Sequence, residues 1–279
     1  MGTEYIKAMS NTGENNICSK IAGSIVKSGL AAVVVLSASA CTMVHRDSFT
    51  EATSGHRDVR VYDSSVQLAE ASIEGGDYNT ALHIYRRLAK DHPDDSELNK
   101  ALANTLLAAG ALDEAEQTYR LVAERNRDSI EAMVGLGRVY LAMSDGQNSI
   151  KAFNEALKID PTSYVARNGL AVALDHLGKH NDAQKIYRKL LITRPSDLMI
   201  KSNLGLSLAL SQRFHKAISI LTNVVTDPTA PAEARHNLAL AYGLAGRTEV
   251  ATELEQISGS QSDVRGNMQY YELMRSGLK

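Results

Sequence analysis

The sequence predicts an all-α solenoid: a right-handed superhelix of about six helix-turn-helix repeats, closed by a C-terminal capping helix. The main observation is a leucine that recurs every 34 residues, and the second is a small residue directly after each leucine. The leucines are Leu68, Leu102, Leu136, Leu170, Leu204 and Leu238, and the small residues are Ala69, Ala103, Gly137, Ala171, Gly205 and Ala239. Leucine is roughly one residue in ten, so six chance hits in one register are expected on the order of once in a million trials.

Two further positions in each unit explain how a helix pair can form. A second small residue lies twelve positions after the first, and an aromatic residue follows four positions later in the first four units. The small residues are Ala81, Ala115, Ser149, Ala183, Ala217 and Ala251, and the aromatic residues are Tyr85, Tyr119, Phe153 and Tyr187. Small residues allow two antiparallel helices to approach closely, and the aromatic ring fills the gap between one pair and the next.

Turn and stop signals separate the predicted helices. The turn within each pair is predicted at Gly76, Gly110, Ser144, Gly178 and Gly246, with Gln212 as the exception. The second helix of a pair is predicted to end before Pro93, Pro161 or Pro195. In the sixth unit Glu255 replaces the aromatic residue, and we expect it to contribute to the polar outer face of a terminal repeat.

This pattern of residue types resembles the tetratricopeptide-repeat (TPR) family over about three quarters of the chain. The resemblance implies a helix-pair solenoid in which the first helix of each pair lines a concave surface. A capping helix is expected over 266–279, starting near Val264, with Met268, Tyr271 and either Leu273 or Met274 facing inward. The six units are 62–95, 96–129, 130–163, 164–197, 198–231 and 232–265.

The N-terminal segment is predicted to be a signal peptide, residues 1–40. Lys20 and Lys27 precede a short apolar run at 29–38, and small residues lead to Cys41. Ten helical residues span about 15 Å, half of a bilayer core, so this run is too short for an ordinary membrane-spanning helix. Met9 is an alternative start residue.

The sequence Ala38-Ser39-Ala40-Cys41 resembles a bacterial lipobox, although Ala38 stands where leucine is usual. The resemblance implies lipidation of Cys41, a tether over 41–61, and a cell-envelope lipoprotein. Thr42, which is not Asp, implies sorting to the outer membrane with the protein facing the periplasm. The alternative is a plain secretory signal with an incidental cysteine.

The body of the chain carries no motif that predicts an enzyme, a cofactor site or a metal site. Cys18 and Cys41 both precede the repeats, and a net charge of −2 argues against bulk nucleic-acid binding. His176 and His180 are four residues apart, but Gly178 lies between them in a predicted turn, so one helix face does not hold both.

The family resemblance also implies which residues line the concave groove for a protein or peptide partner. Lys100 and Asn104 resemble the start of a carboxylate clamp, but Gly135 stands where that clamp needs asparagine. The later groove is apolar, and either accepts an amphipathic partner segment or packs against the chain's own final helix. The partner-binding candidates are Lys100, Asn104, Arg138, Asn168, Val172, Asn203, Leu206, His236, Asn237 and Leu240.

The stretch from Val264 to Arg275, with its Tyr-Tyr-Glu core, resembles the end of the tight-adherence (Tad, Flp-type) pilus assembly lipoprotein. That resemblance implies a pilotin-like assembly factor for the outer-membrane secretin of a type IVb pilus. The alternatives are another cell-envelope adaptor, in outer-membrane or peptidoglycan assembly, or a cytoplasmic TPR co-chaperone if the signal is misread.

Overall fold

The computed structural model describes residues 50–258 and 261–277, and Cys41 with the predicted signal peptide lies outside this part of the chain. The described residues form thirteen α-helices and no strand. The helices are α1 (Thr50–Glu74), α2 (Tyr78–Asp91), α3 (Ser96–Ala108), α4 (Leu112–Arg125), α5 (Ile130–Ala142), α6 (Gly146–Ile159), α7 (Tyr164–His176), α8 (His180–Thr193), α9 (Leu198–Leu210), α10 (Phe214–Val225), α11 (Glu233–Leu244), α12 (Thr248–Ser258) and α13 (Gln261–Gly277).

Each helix packs against the next one in the chain, and the odd-numbered helices from α3 to α11 also contact one another in order. Helices α1 to α12 therefore form six antiparallel pairs that stack side by side, with α13 after the last pair. This arrangement confirms the predicted all-α solenoid. Helix α1 begins at Thr50, inside the segment that the sequence assigns to a tether.

Side-chain caps fix where the first helix of most pairs begins. Asp95 accepts a hydrogen bond from the backbone N–H of Leu98, and Asp197 does the same for Ile200. Tyr62 and Tyr164 each donate a hydrogen bond of 2.6 Å to one of these two aspartates. Each bond joins the start of one unit to the start of the next, so capping and stacking reinforce each other.

The turn inside each pair uses the left-handed backbone region, including the two turns that have no glycine. Four of these turn residues are glycines, but Ser144 has φ 63° and Gln212 has φ 62°. The left-handed region costs a side chain about 1 kcal/mol or more. The geometry of the helix pair therefore overrides the local preference at Ser144 and Gln212.

The aromatic positions form the centre of the core. Phe153 is fully buried, and its ring lies against Gly137 of its own pair and Gly169 of the next pair. A Cβ atom placed on Gly137 would lie only 2.7 Å from a ring carbon of Phe153. Tyr119 packs against Gly135 of the next pair in the same manner, so a large ring lies opposite a glycine at two successive contacts between pairs.

Helix α13 packs against α11 and α12, the place that the first helix of a seventh pair would take. Val264 and Tyr271 are buried, and Met274 packs into the same apolar cluster as Tyr271. Leu273 is 70% exposed, so Met274 faces inward in its place.

Helix α1, at the other end, is the first helix of the described part of the chain and has no described pair before it. Leu68 is 57% exposed, whereas Leu102, at the same place in the next unit, is 8% exposed. In the later units this leucine faces the second helix of the preceding pair. No helix between Thr50 and Gly277 combines the length and the apolar character needed to cross a bilayer.

Candidate partner-binding surface

Helices α3, α5, α7 and α9 lie side by side and present a row of polar side chains, which we call the polar strip. The strip consists of Lys100, Asn104, Arg138, Asn168 and Asn203, and all five are at least partly exposed. All five were candidates from sequence. The structure brings them onto consecutive first helices of the stack, as the repeat pattern predicts.

Neighbouring side chains orient the polar strip. The amide oxygen of Asn104 accepts a hydrogen bond of 2.5 Å from the hydroxyl of Tyr119, and burial raises the pKa of Tyr119 to about 12. Tyr119 therefore remains a donor at neutral pH. The Nδ2 of Asn203 donates to the Oδ1 of Asn168 over 3.2 Å, so these two amides are linked across adjacent units.

The strip carries two cations, Lys100 and Arg138, and its lysine is only loosely neutralised. The Nζ of Lys100 lies 2.7 Å from the Oε1 of Glu97, whose side chain is 84% exposed. An ion pair with so exposed a partner contributes about 0–1 kcal/mol. A partner carboxylate can therefore replace Glu97 at little energetic cost.

The apolar part of the candidate groove is not open. Val172, Leu206, Asn237 and Leu240 are all buried, which corrects the expectation that they line a free surface. The two leucines pack in one cluster with Tyr271 of α13, so the final helix covers them. Asn237 donates a 3.0 Å hydrogen bond to the hydroxyl of Ser202, and Val172 packs with apolar residues of units three and four.

A buried carboxylate holds the final helix in place. Glu255 of α12 is 1% exposed, so it does not lie on a polar outer face as the sequence suggested. It accepts hydrogen bonds from Tyr271 (2.6 Å), Asn267 (2.8 Å) and His236 (2.9 Å). Tyr271 packs its ring against Gly243. Hence the sixth unit, which has Glu255 at the repeat's aromatic position, receives a ring from α13.

The charges in this network shift two pKa values. The hydrogen bond from His236 to Glu255 raises the pKa of the histidine above 6.5. Burial alone would favour the neutral form of Glu255, but its three hydrogen-bond donors outweigh burial and place its pKa below 4.5. Both groups are therefore charged over a mildly acidic range of pH.

These shifts predict how the attachment of α13 depends on pH. The contribution of His236 is complete below pH 6.5 and is lost as the pH rises through the raised pKa. The contribution of Glu255 is complete above pH 4.5 and is lost as the pH falls through the lowered pKa. We expect urea unfolding, followed by circular dichroism, to show lower stability at pH 8 than at pH 6.

His236→Gln should reduce this difference between pH 6 and pH 8, because glutamine does not titrate there. His215→Gln is the matched control, since His215 is exposed on α10. An unchanged pH difference in His236→Gln would contradict the role assigned to the pair.

A second buried group gathers a serine, a histidine and an aspartate, but in an arrangement that does not activate a nucleophile. The Oδ1 of Asp175 accepts from Ser207 Oγ at 2.6 Å and lies 2.8 Å from His180 Nδ1. Burial raises the pKa of Asp175. The serine and the histidine both bind the aspartate, so no imidazole nitrogen faces the hydroxyl of Ser207, in contrast to an activated serine nucleophile.

The two neighbouring histidines do not form a metal site. The Nε2 of His176 lies 3.3 Å from the carbonyl oxygen of Ser144, whereas His180 binds Asp175. Within residues 50–258 and 261–277 no three His, Cys, Asp or Glu side chains are placed to share a metal ion.

Comparison with known proteins gives one family and one fold. The model of the tetratricopeptide repeat matches residues 72–137 and 140–202. The uncharacterized protein y4yS of Sinorhizobium fredii is 30% identical over 131 residues, which span 47% of this chain and 72% of y4yS. Mouse trafficking protein particle complex subunit 12 is 33% identical over 116 residues, but the match spans only 14% of that protein.

Among solved structures, a thermophilic TPR protein of Thermus thermophilus aligns with a TM-score of 0.57. The alignment covers 64% of this chain and 98% of that protein, at 18% identity. Such a likeness shows a shared fold, here a stack of helix pairs, and carries no information on the partner.

Proposed function

Because this chain belongs to the tetratricopeptide-repeat family, whose solenoids are scaffolds for protein–protein interaction, we propose that it holds a partner protein along its polar strip. One observation carries this proposal. Polar side chains lie partly exposed on α3, α5, α7 and α9, while the apolar side chains farther along the same surface are covered by α13.

The chemistry of the strip favours an extended segment that contains acidic side chains. Lys100 and Arg138 offer two cations to carboxylates, and the loose pair between Lys100 and Glu97 is easily exchanged. Asn104, Asn168 and Asn203 offer side-chain amides, which both donate and accept hydrogen bonds and therefore suit the backbone of an extended segment. An apolar helix, in contrast, would find its groove already filled.

The proposal is tested by reversing the two positive charges of the strip. Lys100→Glu with Arg138→Glu should weaken binding of fragments of the outer-membrane secretin about tenfold or more, because both charge-assisted contacts become repulsive. Pull-down followed by titration calorimetry of the bound fragment gives the affinity.

Arg86→Glu with Lys90→Glu is the matched control, since both residues are exposed on the second helix α2 and the change in net charge is the same. Equal weakening in the control would mean that net charge, and not the polar strip, governs binding. Binding that survives in Lys100→Glu with Arg138→Glu would reject the polar strip as the site.

We further propose that the scaffold is a lipid-anchored, pilotin-like assembly factor for a Tad-type pilus, placed at the outer membrane through Cys41. The lipobox-like Ala38-Ser39-Ala40-Cys41 and the Tyr-Tyr-Glu ending support this proposal. Several acyl chains, each contributing about 0.8 kcal/mol per buried CH₂, would keep the protein at the membrane, where a single chain is marginal.

Metabolic labelling with a clickable fatty acid tests the anchor. The wild-type protein should take up the label, and Cys41→Ser should not. Cys18→Ser is the matched control and should still take up the label. If no label is found, or if the label survives in Cys41→Ser, the lipoprotein proposal fails and the polar strip remains a site of an unanchored scaffold.

A further inference from the structure

A strongly cationic stretch covers the fourth and fifth units. From Lys179 to Lys216 the chain carries eight Lys and Arg residues against two Asp and no Glu, a net charge of +6, whereas the whole chain has a net charge of −2. The ordinary interpretation is a solvated helix surface whose cations are neutralised by nearby acids. The contacts of two arginines in this stretch argue against that interpretation.

A buried glutamine holds these two arginines together. The Oε1 of Gln184 accepts hydrogen bonds from Arg213 Nη1 at 2.7 Å and from Arg188 Nη2 at 3.2 Å. Its Nε2 donates to the carbonyl oxygen of Ser207 at 3.1 Å and to Ser211 Oγ at 2.9 Å. Gln184 is fully buried, so its amide is fixed and both guanidinium groups point at one oxygen.

The second unit has a carboxylate at the position of Gln184. Glu116 lies two repeats before Gln184, and Arg120 lies two repeats before Arg188. There the carboxylate of Glu116 lies 2.8 Å from Arg120 and neutralises it. In the fourth unit the neutral amide of Gln184 replaces the carboxylate, while a second arginine, Arg213, is added.

The side chains that accept hydrogen bonds from these two cations are neutral. Among the described residues, no carboxylate lies within 4 Å of Arg188 or Arg213 in an ion pair, and the second Nη of Arg213 donates to the amide oxygen of Asn181 at 2.8 Å. Two like charges at one oxygen repel each other, and a guanidinium pair in fixed orientation is suited to bidentate contact with a carboxylate. An anionic group that arrives from outside would therefore relieve the repulsion.

We propose that Arg188 and Arg213 form a second protein-binding site. The site lies on the side of units four and five that their second helices form, and it binds an acidic segment of a partner protein. Three exposed lysines nearby enlarge the positively charged surface around the two arginines: Lys185, Lys189 and Lys216. Arg188 lies on α8 and Arg213 directly precedes α10, so the two cations come from the second helices of adjacent units and offer two points of contact to one acidic segment. The site lies apart from the polar strip, so its failure would leave the proposed function standing.

The test is fluorescence anisotropy of a labelled oligoglutamate peptide with the full chain, and an oligoglutamine peptide as the reference. Arg188→Gln with Arg213→Gln should weaken oligoglutamate binding about tenfold and reduce its sensitivity to salt. Gln184→Glu should also weaken oligoglutamate binding, because it places a carboxylate beside the arginines, as Glu116 lies beside Arg120 in the second unit. All variants are compared in a Lys100→Gln, Arg138→Gln background, so that the polar strip does not contribute to the oligoglutamate binding that is measured.

Arg86→Gln with Arg120→Gln is the matched control. Both arginines occupy the same position of their units as Arg188, but they are already paired with Glu114 and Glu116. Equal weakening in this control would overturn the proposal, as would equal binding of oligoglutamine. Arginine-dependent binding to phosphatidylglycerol vesicles without binding to the peptide would also overturn it, in favour of a membrane-facing surface.

Discussion

Phe153→Ala will lower the free energy of unfolding by about 3–5 kcal/mol, as expected for the loss of a fully buried aromatic side chain. The ring of Phe153 fills the space between Gly137 and Gly169, and neither glycine has a side chain that could move into the cavity. The loss therefore affects both the contact within the third pair and the contact between the third and fourth pairs. Urea unfolding followed by circular dichroism measures it.

Ile192→Ala is the matched control for Phe153→Ala. Ile192 is 80% exposed on α8, so its replacement should change the free energy of unfolding by less than about 0.5 kcal/mol. A loss below about 1 kcal/mol in Phe153→Ala would show that the neighbouring pairs close the cavity, and that the ring is not the main contact between them.

Tyr271→Ala should detach the final helix. It removes a buried ring from the contact with Gly243 and a hydrogen-bond donor from the buried Glu255, a combined loss of about 3–5 kcal/mol at this end of the stack. Hydrogen exchange should then become faster throughout α13. Leu206 and Leu240 should become exposed, which an increase in binding of the dye ANS would report.

Two variants separate the causes of this effect. Tyr271→Phe keeps the ring but leaves a buried carboxylate oxygen without its donor, which should cost about 1–3 kcal/mol. Leu273→Ala alters the exposed face of the same helix and should change neither exchange nor dye binding. If Tyr271→Ala leaves both unchanged, α13 is held by contacts other than the Tyr271 and Glu255 network.

Most of the fold could be predicted from the sequence, because the residues that specify the fold contact residues nearby in the chain and recur from unit to unit. The leucine and the two small residues recur in each unit and the aromatic residue recurs in the first four, and each contacts its own pair or an adjacent pair. The same register placed Lys100, Asn104 and Arg138 on successive first helices. A residue that follows the repeat can therefore be assigned to a face without knowledge of the rest of the chain.

The role of Glu255 could not be predicted in this way, because its partners follow no repeat. His236 lies within the sixth unit, whereas Asn267 and Tyr271 belong to a helix outside the repeats, and only the folded chain brings them together. The apolar character of Leu206 and Leu240 predicted that something would cover them, but it could not distinguish a partner from α13. Gln184 was missed, although comparison with Glu116 in the equivalent position was the available signal.

The exposed leucine of the first unit has a mechanical consequence. Among residues 50–258 and 261–277 each pair touches only its neighbours, and the pair that contains Leu68 has one such neighbour where interior pairs have two. At the opposite end, α13 seals the last pair. A protease or a pulling force should therefore open the protein at its amino end and peel off one hairpin after another, while the carboxyl end resists longest.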